Sequence, residues 1–288
     1  MSPQTVNPLS IVFMCVTLLI CFGVPVALAI WAKVRYKKEF SFLPLLLGVV
    51  GFALFQLFLR INVMLPIIQS LPWFKEAIQL TWVKWAYAGF LCLTAGLFEE
   101  PVRFLAFTIL KKKRQVPNGL SYGIGHGGIE AILIVGLVYV NNLVYSIMIN
   151  SGGWGTMLSM LPQAYQAQYE NIRMSLVSAS PDMFLLGGVE RLFTIFIQIA
   201  FSLIIVRGFM VNKRWLYLIA ATLLHAIVDF SVVALQLLKA NPWVIEGVIF
   251  LEAVLAIVYI VWQLREWRKS LHHTDEAVYE QPRQTDTP

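Results

Sequence analysis

Four apolar segments of this chain carry acids, bases and imidazoles at helical spacing: Glu99, Glu100 and Arg103; His126 and Glu130; Glu190 and Arg191; His225 and Asp229. At a bilayer centre each ionisable side chain opposes insertion by roughly 2.5–3.5 kcal/mol, so the formal charges among them oppose it by about 20 kcal/mol in sum unless they meet one another or water. These residue types are also those of acid–base chemistry: a carboxylate to activate water, an imidazole to carry a proton, a cation to steady an anion. The expectation is one shared polar site inside the membrane.

Spacing indicates how each group faces its neighbours. On a helix Glu99 and Arg103 are i,i+4 partners with the acid N-terminal, the favourable order, while Glu100 is i,i+3 from Arg103 and rotated by about 100° from Glu99. One carboxylate can therefore bind the arginine while the other faces another helix. Pro101 removes an amide donor beside the pair. Tyr122, His126 and Glu130 repeat every four residues and form one polar stripe, which Asn141 extends; the intervening Gly123, Gly125, Gly127 and Gly128 let a neighbouring helix approach closely. On that face Glu130 is expected to support His126. His225 and Asp229 are again i,i+4. Glu190 and Arg191 are adjacent and point in different directions, so they are expected to bridge to different helices. The competing structural reading is a set of salt bridges and satisfied histidines that hold helices together.

Elements able to position these groups follow from composition. The 288 residues are 58% hydrophobic and 13% charged, far more apolar than a soluble domain. Apolar runs long enough to span occur at about 9–32, 42–68, 80–110, 120–149, 182–206, 215–238 and 243–264. The fold class expected is an all-α polytopic membrane bundle of about seven transmembrane helices. The uncharged start of the first run argues for a retained helix over a cleaved signal peptide.

Basic residues cluster after the first (Lys33, Arg35, Lys37, Lys38), third (Lys111 to Arg114), fifth (Arg207, Lys213, Arg214) and seventh (Arg265, Arg268, Lys269) runs. The N-terminus is therefore expected outside and the C-terminus in the cytoplasm. The net charge of +6 reads as anchoring beside anionic lipid, not as a nucleic-acid surface. Cys15, Cys21 and Cys92 lack metal-type spacing and read as packing residues. Residues 1–271 read as one bundle, 272–288 as a polar, disordered cytoplasmic tail, and Gln163 to Ala179 as a surface helix over the outer mouth. Counted from the cytoplasmic flanks, Glu100, Glu130 and His225 lie at about the same depth, roughly 15–16 Å in.

At these residues the chain resembles the glutamic intramembrane protease superfamily, which contains CAAX prenyl proteases and bacteriocin-processing enzymes, and within it the bacterial YhfC-like branch. Its double-glutamate motif ending in arginine is matched by Glu99, Glu100 and Arg103, its aromatic-x-x-x-His motif by Tyr122 and His126, and its His-x-x-x-Asn/Asp motif by His225 and Asp229. The arginine follows the pair one position sooner than in CAAX proteases, and tyrosine replaces the usual phenylalanine; the shorter spacing and the run Gly125 to Gly128 with Glu130 are similar to the YhfC-like branch. The resemblance implies a bacterial cell-membrane enzyme that hydrolyses a peptide bond in a membrane-associated peptide or protein. It implies Glu99 as the water-activating base, Glu100 orienting it or holding Arg103, His126 sharing the water or protonating the leaving nitrogen, and His225 with Asp229 stabilising the oxyanion. Tyr122, Glu130, Glu190 and Arg191 are supporting residues, and no cofactor is required.

Two other chemistries use the same groups. Glu99 or Glu100 with His126 and His225 would make a zinc ligand set, although no HExxH signature is present. Buried Glu, His and Asp also make the relay of a proton-coupled transporter, against which the absence of an internal repeat counts. A non-catalytic membrane scaffold is the remaining alternative.

Overall fold

In the computed structural model, which describes residues 5–279, ten helices follow one another and no strand occurs among the described residues. They are α1 (Pro8–Tyr36), α2 (Phe42–Ser70), α3 (Pro72–Ala77), α4 (Thr81–Ile109), α5 (Val116–Asn150), α6 (Trp154–Met160), α7 (Gln163–Ser178), α8 (Pro181–Met210), α9 (Arg214–Leu237) and α10 (Pro242–Tyr279). Local chemistry sets the ends. Proline opens α1, α3, α8 and α10, where its missing N–H costs nothing. Asn7 and Ser41 accept hydrogen bonds from the amides of Leu9 and Leu43 and cap α1 and α2. Just past the ends of α1, α8 and α9, Lys37, Asn212 and Lys239 take positive φ and turn the chain out of the helix.

Six helices, α1, α2, α5, α8, α9 and α10, are long and apolar enough to cross a membrane. The seventh long helix, α4, is 29 residues and contains Glu99, Glu100 and Arg103, the charges that lower its apolarity. Large apolar side chains point outward along the bundle, including Leu19, Leu255 and Ile109, each about two-thirds or more exposed. Such a surface is stable only against lipid tails. The last helix runs through residues 272–279, which were expected to begin a disordered tail; the remainder of that tail, 280–288, lies outside the described residues.

The central helix is α8, which packs on α1, α4, α5, α9 and α10. Glycines on α5 permit the close approach: a Cβ on Gly123 would lie 2.4 Å from Ile199 Cα of α8, and one on Gly125 would lie 2.1 Å from the Leu45 carbonyl of α2. Helix α5 is thus wedged between α8 and α2. Contacts at one end of the bundle gather the basic segments: Arg114 lies over the Phe209 ring, Arg207 over Trp262, Tyr36 edge-on to Trp267, and Asn118 accepts from the Ser41 amide. Towards the other end, α7 matches the surface helix read from the sequence; there Arg173 donates to Glu170 at 2.6 Å and holds that carboxyl below its usual range. Cys21 and Cys92 are buried, but Cys15 is exposed on α1, so it is no packing residue of the bundle interior.

Candidate active site

Helix α4 supplies the floor of the site. Glu99, Glu100 and Arg103 are all buried, at 4%, 0% and 0% exposure. Arg103 lies 3.8 Å from Glu99 and 3.5 Å from Glu100, longer than its hydrogen bonds. Those go to α8: Nη1 donates to the Gln198 carbonyl at 2.9 Å and to Ser202 Oγ at 3.2 Å, and Nη2 to Gln198 Oε1 at 2.7 Å. Its guanidinium also lies beside the rings of Tyr122 and Phe201, 5.8 and 5.9 Å from their centroids. Arg103 therefore ties α4 to α8 and lies beside both glutamates without closing on either.

Two histidines converge on the glutamates. His126 Nε2, on α5, lies 2.8 Å from Glu99 Oε2. His225, on α9, sits with Nδ1 2.9 Å from Glu100 Oε1 and Nε2 3.8 Å from Glu99 Oε2. Packing fixes both rings: Phe201 stacks on His225 at 4.8 Å and 4°, while Phe52 meets His126 edge-on at 5.3 Å. Because Glu100 engages Nδ1 of His225, its Nε2 is the nitrogen turned towards Glu99. Asp229 Oδ2 is 3.7 Å from that same Nε2, and its side chain is 37% exposed, the most open of the group.

Gln198, unforeseen in the sequence, joins the parts. Its Nε2 donates to Glu99 Oε2 at 3.2 Å and to Glu130 Oε2 at 2.9 Å while its Oε1 accepts from Arg103. Glu130 in turn accepts from Arg191 at 2.9 Å, and Arg191 pairs with Glu190. Two expectations are corrected here. Glu130 reaches the site through Gln198 and Arg191 and not through a hydrogen bond to His126, whose Nε2 is on Glu99 and whose Nδ1 has no partner among the described residues. Arg191 bridges to Glu130 of α5 as expected, but Glu190 pairs with Arg191 and not with another helix, since the long arginine folds back across the helix surface to its neighbour. Tyr122 is fully buried beside Arg103, and its hydroxyl has no protein hydrogen-bond partner among the described residues. Asn141 is exposed, off the Tyr122–His126–Glu130 stripe: the π-helical turn at Ala131–Gly136 rotates the rest of α5 out of phase.

A cavity of about 230 Å³ opens onto this network. Its wall includes His225, Asp229, Gln198, Glu130 and Arg191, together with Gln56 and Arg60 of α2. Glu99 and His126 lie immediately behind Gln198 and His225. Gln56 and Arg60 were also missed by sequence reasoning, although two polar residues four apart within an apolar run were a usable signal, as was the lone Gln198 in Phe196-Ile197-Gln198-Ile199.

The donor chemistry fits a divalent cation. Two imidazoles and a carboxylate form the His₂Glu set of several zinc peptidases, and a second carboxylate on the far nitrogen of an imidazole, as Glu100 is on His225, is the usual way a ligating ring is oriented. Among the described residues no group of three or more His, Cys, Asp or Glu side chains stands as a ready-made metal cage.

The chain resembles known proteins over most of its length. The uncharacterized membrane protein YhfC of Bacillus subtilis (strain 168) is 32% identical over 261 residues, 88% of this chain and 95% of that protein. No solved structure matches. Residues 19–249, from the first helix to the last and including every polar residue of the site, match the YhfC intramembrane metalloprotease description, and the chain belongs to that family.

Proposed function

We propose that this chain is an intramembrane peptidase whose reacting centre is Glu99 with His126 and His225, and that it hydrolyses a peptide bond of a membrane-associated substrate. The observation that carries this reading is the convergence of two Nε2 atoms, from separate helices, on one carboxylate oxygen behind a polar cavity. Amide hydrolysis needs a base for water, a donor for the tetrahedral oxyanion and an acid for the leaving amine. Glu99 takes the water proton. Both of its hydrogen bonds fall on Oε2, from His126 and Gln198, which orients the carboxylate, and the Arg103 guanidinium lies 3.8 Å from the same oxygen. His126 relays the proton taken by Glu99 to the leaving nitrogen, so both side chains end as they began. His225, protonated while Glu100 holds Nδ1, presents Nε2–H to the oxyanion, and Asp229 steadies that imidazolium from the cavity side.

The family description favours a second version of the same activity. Glu99, His126 and His225 are the residues that would hold a zinc ion, with Glu100 behind His225. Such an ion would supply Lewis acidity and a water of lowered pKa. In that version Glu99 is a ligand, and Asp229 or Glu130 is left to handle the proton. The glutamate version accords with the donors already on Glu99.

The basic end of the bundle belongs, in this proposal, in the cytoplasm, with the N-terminus outside. The test of function is comparative proteomics of membrane fractions from cells carrying wild type or Glu99→Gln. A peptide cut in the first and accumulating intact in the second supports the peptidase reading. Identical peptide patterns with altered ion or solute flux would favour a proton-coupled transporter.

A further inference from the structure

Helix α2 presents a face to the cavity that the chemistry above does not use. Over Phe52–Met64 the helix is π-helical, and its buried residues are Phe52, Gln56 and Arg60, one every four positions. A wider turn of about 4.4 residues keeps that spacing on one face, and π-helical turns occur frequently at functional sites. Phe52 ends the stripe against His126. Gln56 and Arg60 continue it along the cavity wall, in the same space as His225 and Asp229.

Arg60 is 7% exposed, and its guanidinium is held from behind: Nε donates to Thr94 Oγ1 at 3.1 Å and Nη2 to the Leu91 carbonyl. Neutral acceptors fix its direction without answering its charge. Among the described residues no carboxylate comes within 4.0 Å of it. The other charges of the cavity are better matched: Arg191 lies between Glu130 and Glu190, Ser231 donates to Glu252, and Asp229 faces His225. Beside Arg60, the buried Oε1 of Gln56 has no protein donor. A cation with no contact ion pair, answered only at longer range by Glu99 and Asp229, and an amide acceptor without a donor thus line one wall. A buried cation of this kind is costly unless an anion answers it.

Taking this cavity as the substrate site of the peptidase proposed above, we infer that Arg60 binds a carboxylate of the substrate while Gln56 accepts from a neighbouring peptide N–H. The carboxylate comes from the chain terminus or from an acidic side chain. Both sources present the two-oxygen face that a guanidinium matches. Bound there, the substrate would lie along α2 with its adjoining peptide bonds directed towards His225 and Asp229. Arg60 and Gln56 are then specificity-determining residues and take no part in proton transfer.

The test measures binding alone, so it stands apart from whether any peptide is cut. Purified full-length protein in phosphatidylcholine nanodiscs is titrated with three probes, with empty nanodiscs as the blank: N-octanoyl-phenylalanine, its carboxamide, and N-octanoyl-glutamic acid α-amide. At least one acid should bind about 10- to 100-fold more tightly than the carboxamide, the range of a charge-assisted hydrogen bond. Preference for the first acid identifies a terminal carboxylate, and for the third probe a side chain. Arg60→Gln should abolish the preference, Arg60→Lys should retain part of it, and Gln56→Leu should weaken all three probes while leaving the preference intact. Equal affinity of acids and carboxamide for the wild-type protein overturns the inference whatever the variants do, as does a preference that survives Arg60→Gln. Acid preference at Arg60 without any proteolysis would leave carboxylate recognition standing and remove the peptidase reading.

Discussion

Replacing Gln198 with leucine removes a side chain that answers three charged groups at once. It takes one donor from Glu99, one from Glu130 and an acceptor from Arg103, at 3.2, 2.9 and 2.7 Å. The other Arg103 bonds, to the Gln198 backbone carbonyl and to Ser202 Oγ, survive. Interhelical hydrogen bonds in membranes average only about 0.6 kcal/mol, so three ordinary ones would total about 2 kcal/mol. Bonds to charged groups are stronger, about 1.5–3 kcal/mol each, and each loss here leaves a buried ion with one partner fewer. Gln198 also lines the 230 Å³ cavity, so water can reach the exposed partners and recover part of the loss. The expected destabilisation is therefore about 3–5 kcal/mol. Reversible unfolding of the purified protein in mixed micelles titrated with sodium dodecyl sulfate measures it. Glu130→Gln in the same background tests the connection, because two residues sharing a bond should be clearly less than additive. A Gln198→Leu loss of 2 kcal/mol or less, additive with Glu130→Gln, would refute the view of Gln198 as the hub of an ionic network.

Three further outcomes are expected. Glu130→Gln should leave Arg191 with Glu190 as its remaining ion pair and lower activity by less than Glu99→Gln does; a loss as large as that of Glu99→Gln, read in the same cleavage assay, would place Glu130 at the reacting centre. Gly125→Val should block the approach of α2 and α5, since even a Cβ would fall 2.1 Å from the Leu45 carbonyl; the expected cost is about 3 kcal/mol or more, read by the same unfolding titration, and a wild-type midpoint would contradict the packing. Single cysteines at Lys112 and Arg268 should label only from the cytoplasmic side of intact cells, and labelling from opposite sides would overturn the proposed orientation.

Much of the architecture was legible because membrane depth enforces simple rules. Apolar length located the long helices within a few residues at most ends; the end of α10 was missed because that helix runs on through polar residues to Tyr279, beyond the apolar run that closes at 264. The ionisable clusters were legible for the same reason: Glu99, Glu100, His126 and His225 stand out against an apolar background, and the structure brings them into contact. Side-chain pairing was less legible. Periodicity places Glu130 on the face of His126 but gives no account of a glutamine arriving from α8, and Gln198 captures it. The regular 3.6-residue period also failed where the helices widen. The π-helical turn of α5 displaced Asn141, whereas Gln56 and Arg60 on α2 were missed because each stands as a lone polar residue in an apolar run, although their four-residue spacing was a signal.

The central claim, that Glu99 is at the reacting centre of a peptidase, is tested most directly by the cleavage rate of the substrate returned by the proteomic comparison, measured with purified wild type and Glu99→Gln in proteoliposomes. Glu99→Gln keeps the size of the side chain and removes its basic oxygen. The rate should fall by about 100-fold or more, the scale of general-base catalysis, with substrate binding retained. Repeating the wild-type assay after thorough chelation separates the two versions: unchanged cleavage supports activation by the glutamate, and loss restored by zinc supports the metal-bound form. Undiminished proteolysis by Glu99→Gln would contradict the account in either version.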